Sequence, residues 1–232
     1  MAGHSNRIAE KEPDLWGVGL EPDFGIAQRA LLVRTSDGNV LWDCIAALTP
    51  DGREQIAALG GIKAIAISHP HYYTALKEIA DAFDAQVYLH AADRQHVTNP
   101  SPRIEFWEGE RHDLFGGLTL IRAGGHFAGG TVLHWPHGAA GQGVLLSGDI
   151  LQVIPDRNFV GIMYSYPNLI PLPVSEVERV GAAVEPLAFE RIYGAWWGRV
   201  IPTGAKDVVR RSVARYRRAS EARPDGVELP RP

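Results

Sequence analysis

Short apolar runs alternate with segments of helical periodicity in the first half of the chain. Residues 62–67, IKAIAI, are apolar, β-branched and too few for a typical helix, so they predict a buried strand. Residues 75–83 carry apolar side chains at helical spacing, and residues 86–90 form another strand-like run. A strand, a helix and a second strand in this order predict a βαβ unit with parallel strands.

A hairpin is predicted upstream of this unit. The apolar runs at residues 30–35 and 39–43 are joined by Ser36-Asp37-Gly38, and an Asp-Gly pair between such runs is a hairpin signal. Residues 51–61 predict a short helix that glycine stops.

Further elements follow at similar spacing. A capping-box pattern at Ser175 and Glu178 predicts the start of a helix that runs to about residue 187, and residues 206–219 predict a basic helix. The remaining predicted strands are residues 104–107, 118–122, 131–135, 144–149 and 191–193.

Three segments have no regular pattern. Residues 1–13 are polar and predict a flexible N-terminal arm, and residues 224–232 predict a disordered tail. Residues 153–173, rich in proline and aromatic residues, are long for a connector, and they are either a lid over a site or a packed surface loop. A single domain is therefore predicted over residues 14–223.

Composition narrows the class of protein. The 232 residues are 45% apolar and 22% charged, as in an ordinary soluble domain, and the formal charge of −4 gives no general attraction to nucleic acid or to a membrane surface. The single cysteine, Cys44, excludes an intrachain disulfide and is interpreted as a buried apolar group.

The absence of a signal-peptide pattern and of a long apolar run predicts a cytoplasmic protein. A small-molecule substrate is the expected partner, and the oligomeric state stays open, a homo-oligomer included.

The candidate chemistry lies where predicted strands end. His69 and His71 follow the strand at 62–67, and Pro70 stiffens the backbone between them. Such a pair alone is often only an exposed polar loop. A glycine-flanked His126 and an Asp149 after the apolar run 144–146 add a third imidazole and a carboxylate, which together make a zinc-type ligand set.

The order of these motifs resembles that of the metallo-β-lactamase fold hydrolases over roughly residues 26 to 200. Asp43 matches the aspartate that ends an early strand, His69 and His71 match the first two ligands, His126 matches the third histidine, and Asp149 matches the bridging carboxylate. The resemblance implies an α/β fold, an αββα sandwich of two mixed β-sheets flanked by helices.

The departures from the family pattern concern its second metal. Tyr73 and Thr74 stand where the family has an aspartate and a histidine. The family's late histidine is expected near residues 193–198, yet no histidine follows His137. The resemblance therefore implies one ion, with the second metal site degraded. Trp196 or Trp197 is expected to help fill the place of the late histidine and to line the pocket.

The resemblance and the ligand types predict a metal-dependent hydrolase. One zinc ion, with iron or manganese as alternatives, would supply a hydroxide that attacks an ester, thioester, lactone or amide. Asp149 would either ligate the metal or act as general base. Asp43 resembles the aspartate that orients a ligating histidine, and Ser68 helps to shape the loop. Tyr73 either donates a hydrogen bond in catalysis or only fills the vacated volume.

Two other functions stay open at the level of sequence. Related proteins with one metal act as thiol-linked dioxygenases, for which His69, His126 and Asp149 would form a facial triad on iron. His71 as a fourth ligand leaves fewer open positions for that chemistry. The third hypothesis is a non-catalytic binding protein with a degenerate metal site.

Overall fold

A computed structural model describes residues 3–221, in which two large β-sheets lie face to face. The first sheet contains seven strands whose spatial order follows the chain. They are β1 (Ser5–Glu12), β2 (Leu15–Glu21), β3 (Ala30–Val33), β4 (Val40–Trp42), β5 (Ala64–Ala66), β6 (Gln86–His90) and β7 (Ile104–Trp107). The strands from β1 to β4 pair antiparallel, whereas β4 to β7 are parallel, as the βαβ pattern predicts.

The second sheet contains six strands. They are β8 (Arg111–Asp113), β9 (Thr119–Arg122), β10 (Thr131–Trp135), β11 (Val144–Gly148), β16 (Arg191–Gly194) and β17 (Val200–Ile201), in the spatial order β17-β16-β11-β10-β9-β8. Two small hairpins lie between β11 and β16 in the chain. They are formed by β12 (Gln152–Val153) with β13 (Val160–Gly161), and by β14 (Met163–Ser165) with β15 (Ile170–Pro171).

Five helical segments complete the described chain: α1 (Pro50–Ala58), α2 (Leu76–Phe83), the short α3 (Gly138–Gly141), α4 (Val174–Val184) and α5 (Ala205–Glu221). Shorter 3₁₀ turns occur at Pro70–Tyr72, Ala91–His96 and Phe115–Gly117. Within residues 3–221, none of these helices combines the length and the apolar character that crossing a bilayer requires.

Alternation along the strands creates three apolar cores. In β5, Ile65 packs with Ile56 of α1 and Ile79 of α2, while Ala64 and Ala66 point to the opposite face. Successive side chains of a strand point to opposite faces, so one strand serves two cores.

The second core joins both sheets and includes Trp42, Leu120, Leu133, Leu146 and Tyr193. The third joins the second sheet to α4 and α5 and includes Val132, Leu145, Val177, Val180 and Val208. The predicted αββα sandwich is confirmed.

The prediction of a flexible arm over residues 1–13 is corrected at residues 5–12, which form β1 and pair with β2. Asn6 explains much of this order. Its side-chain amide donates to the carbonyls of Gly19 and Ala47, and its carbonyl oxygen accepts from the backbone and hydroxyl of Thr49. A polar segment with little apolar pattern is thus held by hydrogen bonds to distant residues. The predicted tail at 224–232 lies outside the described residues, and the extent of a single domain stays a prediction.

Two local predictions are corrected at the start and end of α4. The helix begins at Val174 after Pro173, so Ser175 lies inside the first turn and no side chain caps the helix. It ends at Val184 rather than near residue 187. The fixed φ of proline is preorganised for a helix start, and it replaces the expected capping box.

Candidate metal centre

Four predicted ligands converge at one edge of the sandwich. Ligand atoms of His69, His71, His126 and Asp149 all lie within 4.8 Å of one another. Each residue follows the end of a strand or lies in the turn beyond it. Parallel strands place their carboxyl ends at one edge, which is where ligands bind in α/β sheets.

The local backbone explains how each ligand reaches the site. His69 follows β5 and precedes the 3₁₀ turn that carries His71. His126 lies in the loop from β9 to β10, where Gly124 and Gly125 adopt positive φ values of 67° and 79°. Glycine tolerates this conformation without strain, so the glycines allow the loop to turn His126 inward.

The distances between ligand atoms fit a small metal ion. His69 Nε2 lies 3.2 Å from His71 Nδ1, and His126 Nε2 lies 3.4 Å from the same atom. His69 Nε2 lies 3.6 Å from Asp149 Oδ2. A tetrahedral zinc ion with bonds of about 2.0–2.1 Å requires its ligand atoms to lie roughly 3.3–3.4 Å apart. Three of the six distances between ligand atoms therefore lie near the edge length of a tetrahedral site, and all six are within 4.8 Å.

Hydrogen bonds on the outer ring nitrogens orient two histidines. His126 Nδ1 lies 2.8 Å from the Tyr164 carbonyl, to which it can only donate. The Nε2 atom of neutral His126 then carries a lone pair toward the cluster. His69 Nδ1 lies 2.8 Å from Ser68 Oγ, which leaves His69 Nε2 facing the other ligands. This outer partner on the second ring nitrogen is typical of metal-binding histidines.

Burial also favours the protonation states that bind metals. It lowers the pKa of His69 well below the usual value for histidine and lowers the pKa of His71 and His126, in each case mainly by desolvation. The imidazoles are therefore neutral ligands at neutral pH. Burial raises the pKa of the Asp149 carboxyl, and a bound cation would offset that effect.

Asp43 supports the loop rather than the metal itself. It is 1% exposed, and its Oδ1 accepts a hydrogen bond of 2.7 Å from the backbone N–H of Ser68. Because Ser68 Oγ in turn contacts His69, the carboxylate positions this histidine through one intermediate residue. Burial raises the pKa of Asp43 to about 7.

The cluster forms one wall of a cavity of about 510 Å³. Thr74 and Trp196 line this cavity, as the sequence predicts, together with Phe24, Ile26 and Pro167. Trp196 Nε1 donates to the Ile26 carbonyl at 2.7 Å and so fixes one rim of the cavity. A wider groove of about 750 Å³ beside α1 and α2 shares Ala46 and Thr74 with the cavity but contains none of the four ligands.

One predicted catalytic residue, Tyr73, and one predicted pocket residue, Trp197, lie elsewhere, and their assignments are corrected. Tyr73 is not among the residues that line the cavity, and it packs against the core between the first sheet and its helices. Trp197 also lies outside the cavity and packs over β2, with the Arg7 guanidinium 4.3 Å above its ring. The 3₁₀ turn at Pro70–Tyr72 sets which of Tyr72 and Tyr73 faces the site, and the turn between β16 and β17 does the same for Trp196 and Trp197. The placement of Tyr73 favours the interpretation that its phenol fills volume.

Tyr72, which the sequence reasoning missed, faces the ligands instead of Tyr73. Its ring lies against His69 with a centroid distance of 4.5 Å, and its hydroxyl lies beside the Asp149 carboxylate. Among the described residues, no acceptor stands in good hydrogen-bond geometry to this hydroxyl. Burial raises the pKa of Tyr72 well above its usual value, so the phenol is neutral. No local signal distinguishes the two consecutive tyrosines.

Arg29 is the second missed residue, and it brings a buried positive charge. Its Nε donates to the Trp196 carbonyl at 3.1 Å, in the segment where the family's late histidine is expected. Desolvation lowers its pKa to about 10, so the guanidinium stays charged at neutral pH, and Asp43 is one of the groups that favour this charge. In residues 3–221, its two terminal nitrogens lack hydrogen-bond partners. Arg29 therefore compensates part of the buried negative charge without a second metal.

A substitution at Tyr73 tests the corrected assignment. Because the phenol lies in a core and outside the cavity, Tyr73→Phe is expected to leave bound metal and any turnover within about twofold of the wild type. A hydroxyl that donates to an oxyanion would instead cost about 10²–10³-fold in kcat. Elemental analysis and steady-state kinetics on the same preparation measure both quantities, and a loss of tenfold or more in kcat with metal retained would restore the catalytic assignment.

Comparison with known proteins identifies one clear relative by sequence, although no family model matches the chain. The uncharacterized protein YmaE of Bacillus subtilis (strain 168) is 50% identical over 214 residues, which cover 92% of this chain and 78% of YmaE.

Solved structures of metallo-β-lactamases share the architecture. TMB-1 superposes with a TM-score of 0.67 at 12% identity, covering 94% of this chain and 99% of its own. VMB-1 gives a TM-score of 0.67 at 16% identity, with coverage of 93% and 98%. A Cronobacter sakazakii metallo-β-lactamase with a mutated HARLDQ motif gives 0.60 at 22% identity, with coverage of 93% and 95%. The chain thus belongs to the same family as YmaE and has the metallo-β-lactamase fold.

Proposed function

We propose that this protein is a hydrolase that depends on one metal ion, for which zinc is the best match, and that acts on a small molecule with an ester, thioester, lactone or amide carbonyl. The observation that supports this function is the convergence of three imidazoles and one carboxylate, of which His71, His126 and Asp149 line a single cavity. His69, His71 and His126 would hold the ion, and Asp149 would either be a further ligand or accept a proton at Oδ2 from the water in the fourth position.

The bound metal would lower the pKa of its water ligand and polarise the carbonyl of the substrate. Asp149 is the residue of this chain placed to hold a proton at Oδ2. Its other oxygen, Oδ1, accepts from Gln152 Nε2 at 3.2 Å, which fixes the plane of the carboxylate. The Tyr72 hydroxyl lies beside the same carboxylate and is neutral, so it adds no charge to the site.

One ion is favoured over two because the chain offers few ligands for a second ion and adds a buried cation, Arg29. Asp149 would face the first ion, while Arg29 lies near Asp43. Neither Tyr73 nor Thr74 offers the carboxylate or imidazole of the family pattern. A second divalent cation would therefore find few ligands and an arginine nearby.

Metal analysis tests the proposal. Protein purified without added metal or chelator is expected to contain about one equivalent of zinc per chain by elemental analysis. Treatment with a strong chelator is expected to reduce ester hydrolysis at least tenfold, and added zinc should restore it. Iron with oxygen uptake in the presence of a thiol would favour the dioxygenase alternative. Metal-free protein that folds normally and turns over no substrate would favour a binding role.

A further inference from the structure

The exposed apolar side chains of this protein are concentrated around the candidate site. In the part of the chain that the structure describes, the large apolar residues with high exposure are Phe24 at 51%, Ile26 at 55%, Tyr164 at 57%, Leu169 at 76% and Ile170 at 44%. They lie on two segments, the loop between β2 and β3 and the hairpin of β14 and β15. Exposed apolar clusters beside a cavity mark binding surfaces for apolar groups.

Both segments border the cavity that is lined by His71, His126 and Asp149. Phe24 and Ile26 line it from one segment, and Pro167 lines it from the other. The hairpin is anchored by the Tyr164 carbonyl, which accepts from His126, and the loop is anchored by the Ile26 carbonyl, which accepts from Trp196. The loop thus presents the uncovered side chains of Phe24 and Ile26 to the cavity, whereas the hairpin contributes Pro167 to the lining and its exposed Ile170 lies outside it.

The polar side chains of the cavity are largely committed to the protein itself. Gln28 and Gln152 each donate one side-chain N–H, to the Cys44 carbonyl and to Asp149, and the Tyr166 hydroxyl lies 2.8 Å from two backbone carbonyls, those of Asp149 and Gly161. Thr74 is the remaining neutral polar residue among those that line the cavity. The polar groups left to a ligand are therefore neutral ones, the glutamine amides and the Thr74 hydroxyl.

The cavity also lacks a partner for a charged ligand. Apart from the imidazoles and the Asp149 carboxylate of the ligand set, no residue that lines it in the described chain is ionisable at neutral pH, and none is lysine or arginine. An anionic group on a substrate would lose its hydration without a compensating cation. Binding in this cavity therefore selects against phosphates and carboxylates away from the reacting carbonyl.

We propose that the substrate is uncharged and carries an apolar acyl chain or ring that lies against Phe24, Ile26 and Trp196. This inference rests on the proposed function for the reaction itself. For an ester, water adds to the carbonyl carbon, the bond to the leaving oxygen breaks, the leaving oxygen takes a proton, and a carboxylic acid and an alcohol result. The apolar rim binds the acyl group, and the ligand set lies beside the carbonyl.

A pair of esters of similar size tests the charge preference. The metal-loaded protein is expected to hydrolyse 4-nitrophenyl valerate with kcat/KM at least tenfold above that for mono-4-nitrophenyl succinate, after correction for their uncatalysed rates. From acetate to butyrate to hexanoate, kcat/KM is expected to rise about twofold to fourfold for each added methylene. Equal rates for the neutral and anionic esters, or a flat series, would overturn the substrate class.

Two isoleucines of similar exposure provide matched variants. In Ile26→Ser, the ratio of kcat/KM for the hexanoate ester to kcat/KM for the acetate ester is expected to be at least threefold smaller than in the wild type. Ile170→Ser, outside the cavity, is expected to keep the wild-type series. If both variants behave alike, the assigned rim is incorrect.

A binding measurement separates this inference from the proposed reaction. The neutral apolar fluorophore N-phenyl-1-naphthylamine is expected to bind the metal-free wild type and Ile170→Ser, and to bind Ile26→Ser at least threefold more weakly. If the fluorophore binds in this way but no ester is hydrolysed, the proposed hydrolase activity is refuted, while the inference that the cavity binds neutral apolar ligands still holds. Absence of binding to the wild type, or equal binding to all three proteins, would overturn the ligand class whether or not esters are hydrolysed.

Discussion

Replacement of His69 by alanine is expected to remove the metal almost completely. His69 is fully buried, and its Nε2 lies within 3.6 Å of both His71 Nδ1 and Asp149 Oδ2. Loss of an outer-shell partner alone typically costs about 10–100-fold in metal affinity, so loss of a direct ligand should exceed that range. After dialysis against a weak chelator, elemental analysis should find less than about a tenth of an equivalent of zinc.

His137→Ala is the matched control for this variant. His137 is exposed and lies near Gly117, in a different cavity. It should retain about one equivalent of metal and wild-type hydrolysis. Circular dichroism of both variants checks that the fold is kept. A His69→Ala protein that holds a full equivalent of metal with wild-type affinity would contradict the assigned centre.

The second large effect is expected at Asp43, away from direct contact with the metal. Asp43→Ala removes the acceptor for the buried Ser68 N–H and with it the support of His69. An unsatisfied buried donor costs about 1–3 kcal/mol. Asp43 also has φ 63°, where alanine is strained by roughly 1–2 kcal/mol. We therefore expect the free energy of unfolding to fall by about 2–4 kcal/mol and metal affinity to fall about 10–100-fold.

Asp43→Asn separates geometry from charge. Asparagine keeps an oxygen acceptor for the Ser68 N–H and tolerates a positive φ, so most of the stability should return. Urea denaturation and competition with a chromophoric chelator measure the two effects. If Asp43→Ala matches the wild type in metal affinity, the carboxylate does not position His69, and the link through Ser68 must be abandoned.

The alternating strands and the four ligands were accessible from the sequence for a physical reason. Residues 62–67 contain the β-branched run that becomes β5, and the motifs at His69, His126 and Asp149 each follow such a run. β5 lies between parallel strands, and β9 and β11 run in the same direction because both pair antiparallel with β10, so the strand ends that carry the candidate ligands meet at one edge of the sandwich. The resemblance in motif order supplied the pairing of the two sheets, which local periodicity does not specify.

Segments without their own apolar pattern were the ones predicted incorrectly. Residues 5–12 are polar, and their order in β1 depends on Asn6 and on pairing with β2. Such hydrogen bonds join residues up to 43 positions apart, so no local window of sequence contains them. The start of α4 at Val174 likewise follows the position of Pro173 in the folded chain rather than the capping-box residues.

The sequence by itself predicted the alternating strands and helices and the four candidate ligands, because periodicity and metal chemistry depend on residue types and their order, and the resemblance in motif order predicted the sandwich. Only the tertiary structure decided that Tyr72, not Tyr73, faces Asp149, and that Trp196, not Trp197, lines the cavity. Each pair consists of adjacent aromatic residues with the same chemistry, and a single turn sets which side chain points inward. The buried charge of Arg29 is also a tertiary property, since it arises where the loop before β3 packs against the chain beyond β16.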